Sequence, residues 1–253
     1  PRSTLFPYTT LFRSFNQWLR ERYGTTAGLV NAWGSELAAN ENLENNTVLL
    51  PSNRYASSVR LRDFARFLVD IETRTMDKMS DCIRAMGFKG VVAPYNNWTG
   101  IQPALTRGNQ SAVAMNIYHD WIGDVSPGAQ IQQESSLANA VEYFRLAASA
   151  RVFGKPFVMT EYDHMFWNQF RYEAGLAMPS YAALQGWDVL CRHSNGALVL
   201  GYGGSNFNEQ YIRPYRTALD PVARAGETLS ALLFRRGDVA KAAHQVVAQI
   251  QDV

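Results

Sequence analysis

Short apolar runs that end abruptly in clusters of polar and aromatic residues recur four times in this chain: Gly90-Val91-Val92-Ala93-Pro94, Ala112-Val113-Ala114-Met115, Phe157-Val158-Met159 and Val189-Leu190-Cys191. Runs of this length, bounded by turn residues, suit strands buried on both faces, as in a parallel sheet covered by helices. The most informative stretch is Lys155 to Glu173, KPFVMTEYDHMFWNQFRYE, where Glu161 stands at the point at which the run leaves the core. In a barrel of parallel strands that C-terminal end is the catalytic face. The structural alternative is a strand-end carboxylate held by a nearby arginine such as Arg171.

The segments between the runs have helical period. Val59 to Met86 is the strongest, with Phe64, Phe67, Leu68, Ile71, Thr75, Met79, Cys82, Ile83 and Met86 recurring at steps of three and four. Its methionines read as core residues, and Gly87 supplies the stop. Phe15 to Trp33 reads as two short helices, broken at Gly24 and capped at Thr25 or Thr26, with Phe15, Trp18 and Leu19 on one face. Further helices are expected from about Ser136 to Phe153, from about Pro179 to Trp187, and from Asp220-Pro221 through Phe234, where proline occupies the first turn. Glu36 to Ser58 reads as a surface loop, and Ala197 to Tyr202 as a continuation of the last strand or a separate one. Alternation of helix and strand makes an α/β fold. Four such units are half of an eight-unit barrel. A complete doubly wound domain is the alternative, and its usual glycine-rich first turn is missing.

Composition narrows the function. A net charge of +2 gives no basic surface for nucleic acid. No run of about 18 apolar residues offers a membrane span. Cys82 and Cys191 have no metal-ligand spacing and read as buried free thiols, which fix no compartment. Residues 1–14, PRSTLFPYTTLFRS, lack any period, and Phe6 to Ser14 is what the sequencing-library adapter TTTCCCTACACGACGCTCTTCCGATCT encodes. We therefore expect the natural sequence to begin at Phe15 and exclude residues 1–14 from fold reasoning. Residues 15–238 are read as one catalytic region and residues 239–253 as a tail or the start of a following domain.

The run ends share their chemistry. They carry Asn97 and Trp98; Tyr118, His119, Asp120 and Trp121; Glu161, Tyr162, Asp163 and His164; and His193 and Ser194. A packed core gives no reason for this clustering, whereas a sugar site does, because pyranose faces stack on aromatic rings and hydroxyls need polar partners. Asp120, Glu161, Asp163 and His164 could instead bind a metal, although no HxxxH or HExxH places them on one face. Gly201 to Ser205 lacks the GxSxG pattern of a nucleophile elbow.

These residues resemble the clan A glycoside hydrolases, (β/α)8 enzymes that include β-galactosidases and cellulase-like glycosidases. FNQWLRERYG and the following NAWG look like the helix pair that comes soon after the fourth strand in β-galactosidases of this clan. KPFVMTEY looks like the seventh strand, whose terminal glutamate is the nucleophile. The resemblance covers Phe15 to about Asp238. It implies the C-terminal half of a (β/α)8 barrel, about strands 5–8 with their helices, and a retaining glycosidase with Glu161 as nucleophile. Its substrate-binding residues would be Asn97, Trp98, Tyr118, His119, Trp121, Tyr162, His164 and His193. Tyr162 or Tyr118 would hold Glu161 ionised. The substrate would be a carbohydrate, with no cofactor and no metal. The clan often has tryptophan where this chain has His193-Ser194. Its acid/base glutamate, at the end of the fourth strand, would precede Phe15, so this chain alone is expected to be inactive on unactivated glycosides and to expose an apolar edge. A non-catalytic carbohydrate-binding barrel is the rival reading, and a metal-dependent hydrolase using Asp120, Glu161 and His164 a second.

Overall fold

The computed structural model describes residues 5–53, 57–93, 95–96, 100–120, 128–193, 215 and 220–249. No helix among them is long and apolar enough to cross a membrane. The chain divides into two compact units, Pro1–Asp81 with Gln249–Val253, and Cys82–Ala248, and the division falls inside the stretch 15–238.

The first unit is helical. Helix α1 (Leu5–Tyr23) continues through the stretch for which no period was expected, and α2 (Thr26–Trp33) follows the break at Gly24. Thr25 caps α2 through its hydroxyl, which accepts from Gly28 N at 3.2 Å. Helix α3 spans Val59–Ala85, and Gly87 beyond it takes the positive φ of 91° that only glycine adopts freely. Phe15, Trp18, Leu19, Leu29, Trp33 and Phe67 form the buried core. The intervening loop is pinned by the buried Asn16 side chain, which donates to Val48 O at 2.9 Å and accepts from Val48 N at 3.0 Å, as a neighbouring strand would. The apolar stripe of α3 is covered only in part. Met79 is 55% and Met86 79% exposed, contrary to the core role expected of them, and Cys82 and Cys191 are exposed rather than buried.

The second unit is an α/β assembly. Strands β1 (Val113–His119), β2 (Phe157–His164) and β3 (Val189–Arg192) form a parallel sheet in the order β1-β2-β3. Helix α4 (Ile101–Gly108) precedes β1, α5 (Ala138–Ser149) joins β1 to β2, and α6 (Glu173–Gln185) joins β2 to β3. Helix α7 (Pro221–Ser230), continued by a π turn over Ala231–Arg235, matches the expected final helix. Asp220 caps it, accepting from Val222 N at 3.0 Å.

Three expectations are corrected. Val91 to Ala93 is not a strand, so the fifth strand of the expected half barrel is absent among the described residues. The Ser111 hydroxyl instead serves the Val92 backbone, donating to its carbonyl at 2.6 Å. β1 and β2 run further than their apolar runs, so Asn116 to His119 and Thr160 to His164 are strand and not exit loop. α6 begins at Glu173, not Pro179. Proline inside a helix leaves the carbonyl four residues earlier without its donor. Here that carbonyl, Gly175 O, accepts from the Ser230 hydroxyl of α7 at 3.2 Å. The two helices touch where a Cβ on Gly175 would lie 2.4 Å from Gly226 Cα, an approach that requires glycine. Val113, Met115, Tyr143, Phe144, Phe157, Met159, Tyr162, Met178 and Trp187 make the core between sheet and helices.

Candidate functional site

β2 sits between two parallel neighbours, so its C-terminal end is where polar side chains from three strands converge. Glu161 is on the face of β2 opposite the core, with its side chain 37% exposed. The Tyr118 hydroxyl, from β1, donates to Glu161 Oε2. His193, just past β3, brings Nδ1 within 3.5 Å of the same oxygen. The Tyr118 and His193 rings meet edge to face at 5.4 Å, and Tyr215 packs 4.8 Å from Tyr118. Burial and the adjacent Glu161 carboxylate both push the Tyr118 phenol well above its usual range, so it stays protonated and a donor.

The remaining expected site residues divide. Asn97, Trp98 and Trp121 lie outside the described residues. Tyr162 is corrected: it is 1% exposed and packed into the core, with burial pushing its phenol up to about 12. Side chains alternate along a strand, so a residue next to Glu161 faces the other way. Of the two tyrosines considered as partners of Glu161, the structure brings Tyr118. His119 and His164 also lie on the helix side. His119 Nε2 donates to Glu134 O at 2.9 Å, and its ring packs against Tyr143 and His164 at 5.3 and 4.9 Å. His164 is buried with both ring nitrogens unpartnered, and burial depresses its pKa well below the ordinary histidine value.

Neither the arginine partner nor the metal set considered for Glu161 is seen among the described residues. Arg171 pairs with Asp220, at 2.7 Å, and not with Glu161. The proposed metal set is not assembled, because His164 and Glu161 occupy opposite sides of β2. Asp120 is committed elsewhere, accepting from Gln132 N, Gln133 N and Asn168 Nδ2 at 2.6, 3.1 and 2.7 Å. Among the described residues no cluster of histidine, cysteine, aspartate and glutamate could hold a metal ion.

Two supporting residues were missed from sequence. Arg192 on β3 grips Asp163 Oδ1 with Nε and Nη2 at 3.0 and 2.9 Å, and burial raises the Asp163 pKa against the pull of that guanidinium. Glu173, at the start of α6, is buried and accepts from the Ser135 hydroxyl at 2.6 Å and from Ser136 N at 2.7 Å. It thereby ties the loop after β1 to the helix after β2. Arg192 carried a readable signal, a cation at the end of an apolar run, and the register sets it opposite Tyr162, next to Asp163. Glu173 carried none, because its partners are serines with no pattern of their own.

The fold and site together define an α/β protein with a parallel sheet and an accessible carboxylate held by a tyrosine and a histidine at the strand ends. No family model, characterised protein or solved structure matches the chain.

Proposed function

We propose that this chain is the nucleophile-bearing part of a retaining glycoside hydrolase of clan A type, the C-terminal half of a (β/α)8 barrel, with Glu161 as nucleophile. The observation that carries the reading is the Tyr118 hydroxyl donating to an accessible Glu161 carboxylate at the C-terminal end of the central strand. Retaining glycosidases place two carboxyl groups about 5–5.5 Å apart, one to attack the anomeric carbon and one to protonate the leaving oxygen and then activate water. Glu161 attacks and forms the glycosyl-enzyme. Tyr118 orients its Oε2 and supports its ionised form, leaving Oε1 toward the substrate. His193, with its side chain 44% exposed, lies where a sugar hydroxyl would meet Glu161. The general acid/base is assigned to no residue of this chain.

The test avoids the need for that second carboxylate. A panel of 2,4-dinitrophenyl 2-deoxy-2-fluoroglycosides carries a leaving group that departs without protonation, and the fluorine slows turnover of the glycosyl-enzyme. Mass spectrometry of the digested protein is expected to find one glycosyl unit on the peptide holding Glu161, and none in Glu161→Gln. Sugar binding without any adduct would support the non-catalytic barrel instead. An adduct at another carboxylate would refute the assignment.

A further inference from the structure

We propose that Thr160 is a positioning residue: its hydroxyl locks a β-bulge that decides on which side of the sheet Glu161 stands. The functional meaning rests on Glu161 being the nucleophile, but the structural claim is tested without it. The side chains of β2 that enter the core are Phe157, Met159, Tyr162 and His164, all 2% exposed or less. Their spacing is two, three and two, whereas a regular strand steps by two throughout. An unbroken strand that buried Phe157 and Met159 would bury Glu161 as well and turn Tyr162 outward. One additional residue corrects this. Met115 pairs with Met159, and the next residue of β1, Asn116, pairs with Glu161. On the other side Leu190 pairs with Met159, and Arg192, two residues on, pairs with Tyr162, three residues on. Both neighbours therefore skip a residue of β2 at the same place, and opposite β1 the skipped residue is Thr160. Bulges of this kind re-aim side chains and leave the extra residue outside the ladder.

The Thr160 hydroxyl takes up the missing connection. Its Oγ1 lies 2.5 Å from Asn116 Oδ1 and 3.2 Å from Met115 O, the two residues between which the register of β1 shifts. A hydroxyl has a single proton to donate, and either acceptor, the Met115 carbonyl or the Asn116 side-chain oxygen, ties Thr160 to β1 at the register shift. Asn116 is itself held, its N–H donating to Asn96 O at 2.5 Å. The bulge is stitched to β1 at the point where pairing is interrupted. The rival cause is the sequence pattern alone, in which the cost of burying Glu161 would force the bulge whatever residue stood at 160.

Thiol labelling separates the two. In a Cys82→Ser, Cys191→Ser background, a single cysteine is placed by Met159→Cys or Tyr162→Cys, and its reaction with 5,5′-dithiobis(2-nitrobenzoate) is timed under native conditions. Position 162 reacts when the strand slips to the unbulged register or unfolds, whereas position 159 precedes the bulge and reacts only on unfolding. Thr160→Val, which keeps the shape and removes the hydroxyl, is expected to speed labelling at 162 about tenfold, since exposure of the thiol governs its reaction. Position 159 is expected to be unchanged, and Thr160→Ser to restore the slow rate at 162. Three results would overturn the proposal: an unchanged rate at 162 in Thr160→Val, a parallel rise at 159 and 162, or no restoration by serine. If labelling follows the expectation while the fluoroglycosides leave Glu161 unmodified, the positioning role stands and the glycosidase reading falls.

Discussion

Acidification should destabilise this protein through His164, and the size of the effect follows from where the ring lies. His164 is 2% exposed, neither ring nitrogen has a hydrogen-bond partner, and its pKa is depressed well below 6.5, burial being the largest cause. The groups around it are the rings of His119 and Tyr143 and, in the small cavity beside it, the pairs Asp163–Arg192 and Arg171–Asp220 with Tyr215. Among the described residues no carboxylate bonds to the ring to offset burial, and His119 and Arg192 lower the pKa further. A histidine with a depressed folded pKa contributes stability that is present above the unfolded pKa and lost as pH falls toward the folded one. Below about 6.5 the unfolded chain takes up the proton and the folded chain does not, so stability falls by about 1.4 kcal/mol per pH unit. Between pH 7.5 and pH 5.0 the integrated loss is about 2 kcal/mol. Asp163, whose pKa is raised by burial, acts in the opposite sense, gaining stability as pH falls through its folded pKa, and it remains in either protein. The assay is urea denaturation of the parent and of His164→Phe at the two pH values. The phenylalanine variant is expected to lose about 2 kcal/mol less than the parent over that interval. Equal losses in the two proteins would refute the reasoning.

Other consequences are open to direct measurement. Tyr118→Phe removes a hydrogen bond to a charged acceptor, worth about 1.5–3 kcal/mol, so labelling of Glu161 by the fluoroglycoside should slow roughly tenfold to a hundredfold while the thermal midpoint changes little. Gly175→Ala places a methyl group against the backbone of Gly226 and should destabilise the protein by about 1–3 kcal/mol or more, read as a lowered urea midpoint, since neither backbone can yield without parting α6 from α7.

What was legible in the sequence was what period and punctuation encode. The break at Gly24, the Thr25 cap, the length of α3 and the start of α7 at Asp220-Pro221 follow from local rules, and the structure agrees with them. The α/β class was legible because helices and apolar runs alternate. What failed depended on partners distant in sequence. Pro179 reads as a helix start, yet it sits inside α6 because Ser230, on α7, supplies the donor its ring lacks. Gly90 to Pro94 reads as a strand by composition, yet Ser111 satisfies Val92. The stripe on α3 reads as core along its whole length, but periodicity records a face and not whether anything covers it. Tyr162 was placed beside Glu161 because they are neighbours in the chain, and the pleat sends neighbours to opposite sides.

Hydrogen bonding as well as burial distinguishes Glu161 from the buried carboxylates. Asp63 is fully buried and accepts from the Tyr23 hydroxyl and Trp33 Nε1 at 2.6 and 2.7 Å, with Arg66 at 3.4 Å. Asp120 and Glu173 each accept from backbone N–H groups that hold a loop in place. Asp163 and Asp220 each face an arginine and a backbone N–H. In all five the acceptor capacity is directed at the protein's own framework, and removing any one would leave buried donors without partners. Glu161 is different in kind. Its exposure is the largest of the six, and among the described residues no backbone N–H donates to it and the groups that reach it do so at one oxygen, Oε2. Asp163 also takes its bonds at one oxygen, Oδ1, but it is buried and one of its donors is a backbone N–H, so exposure and the lack of a backbone donor are what set Glu161 apart. An exposed carboxylate with no bond to Oε1 among the described residues, on the accessible face of a strand whose register shifts at Thr160, is what the proposed nucleophile requires.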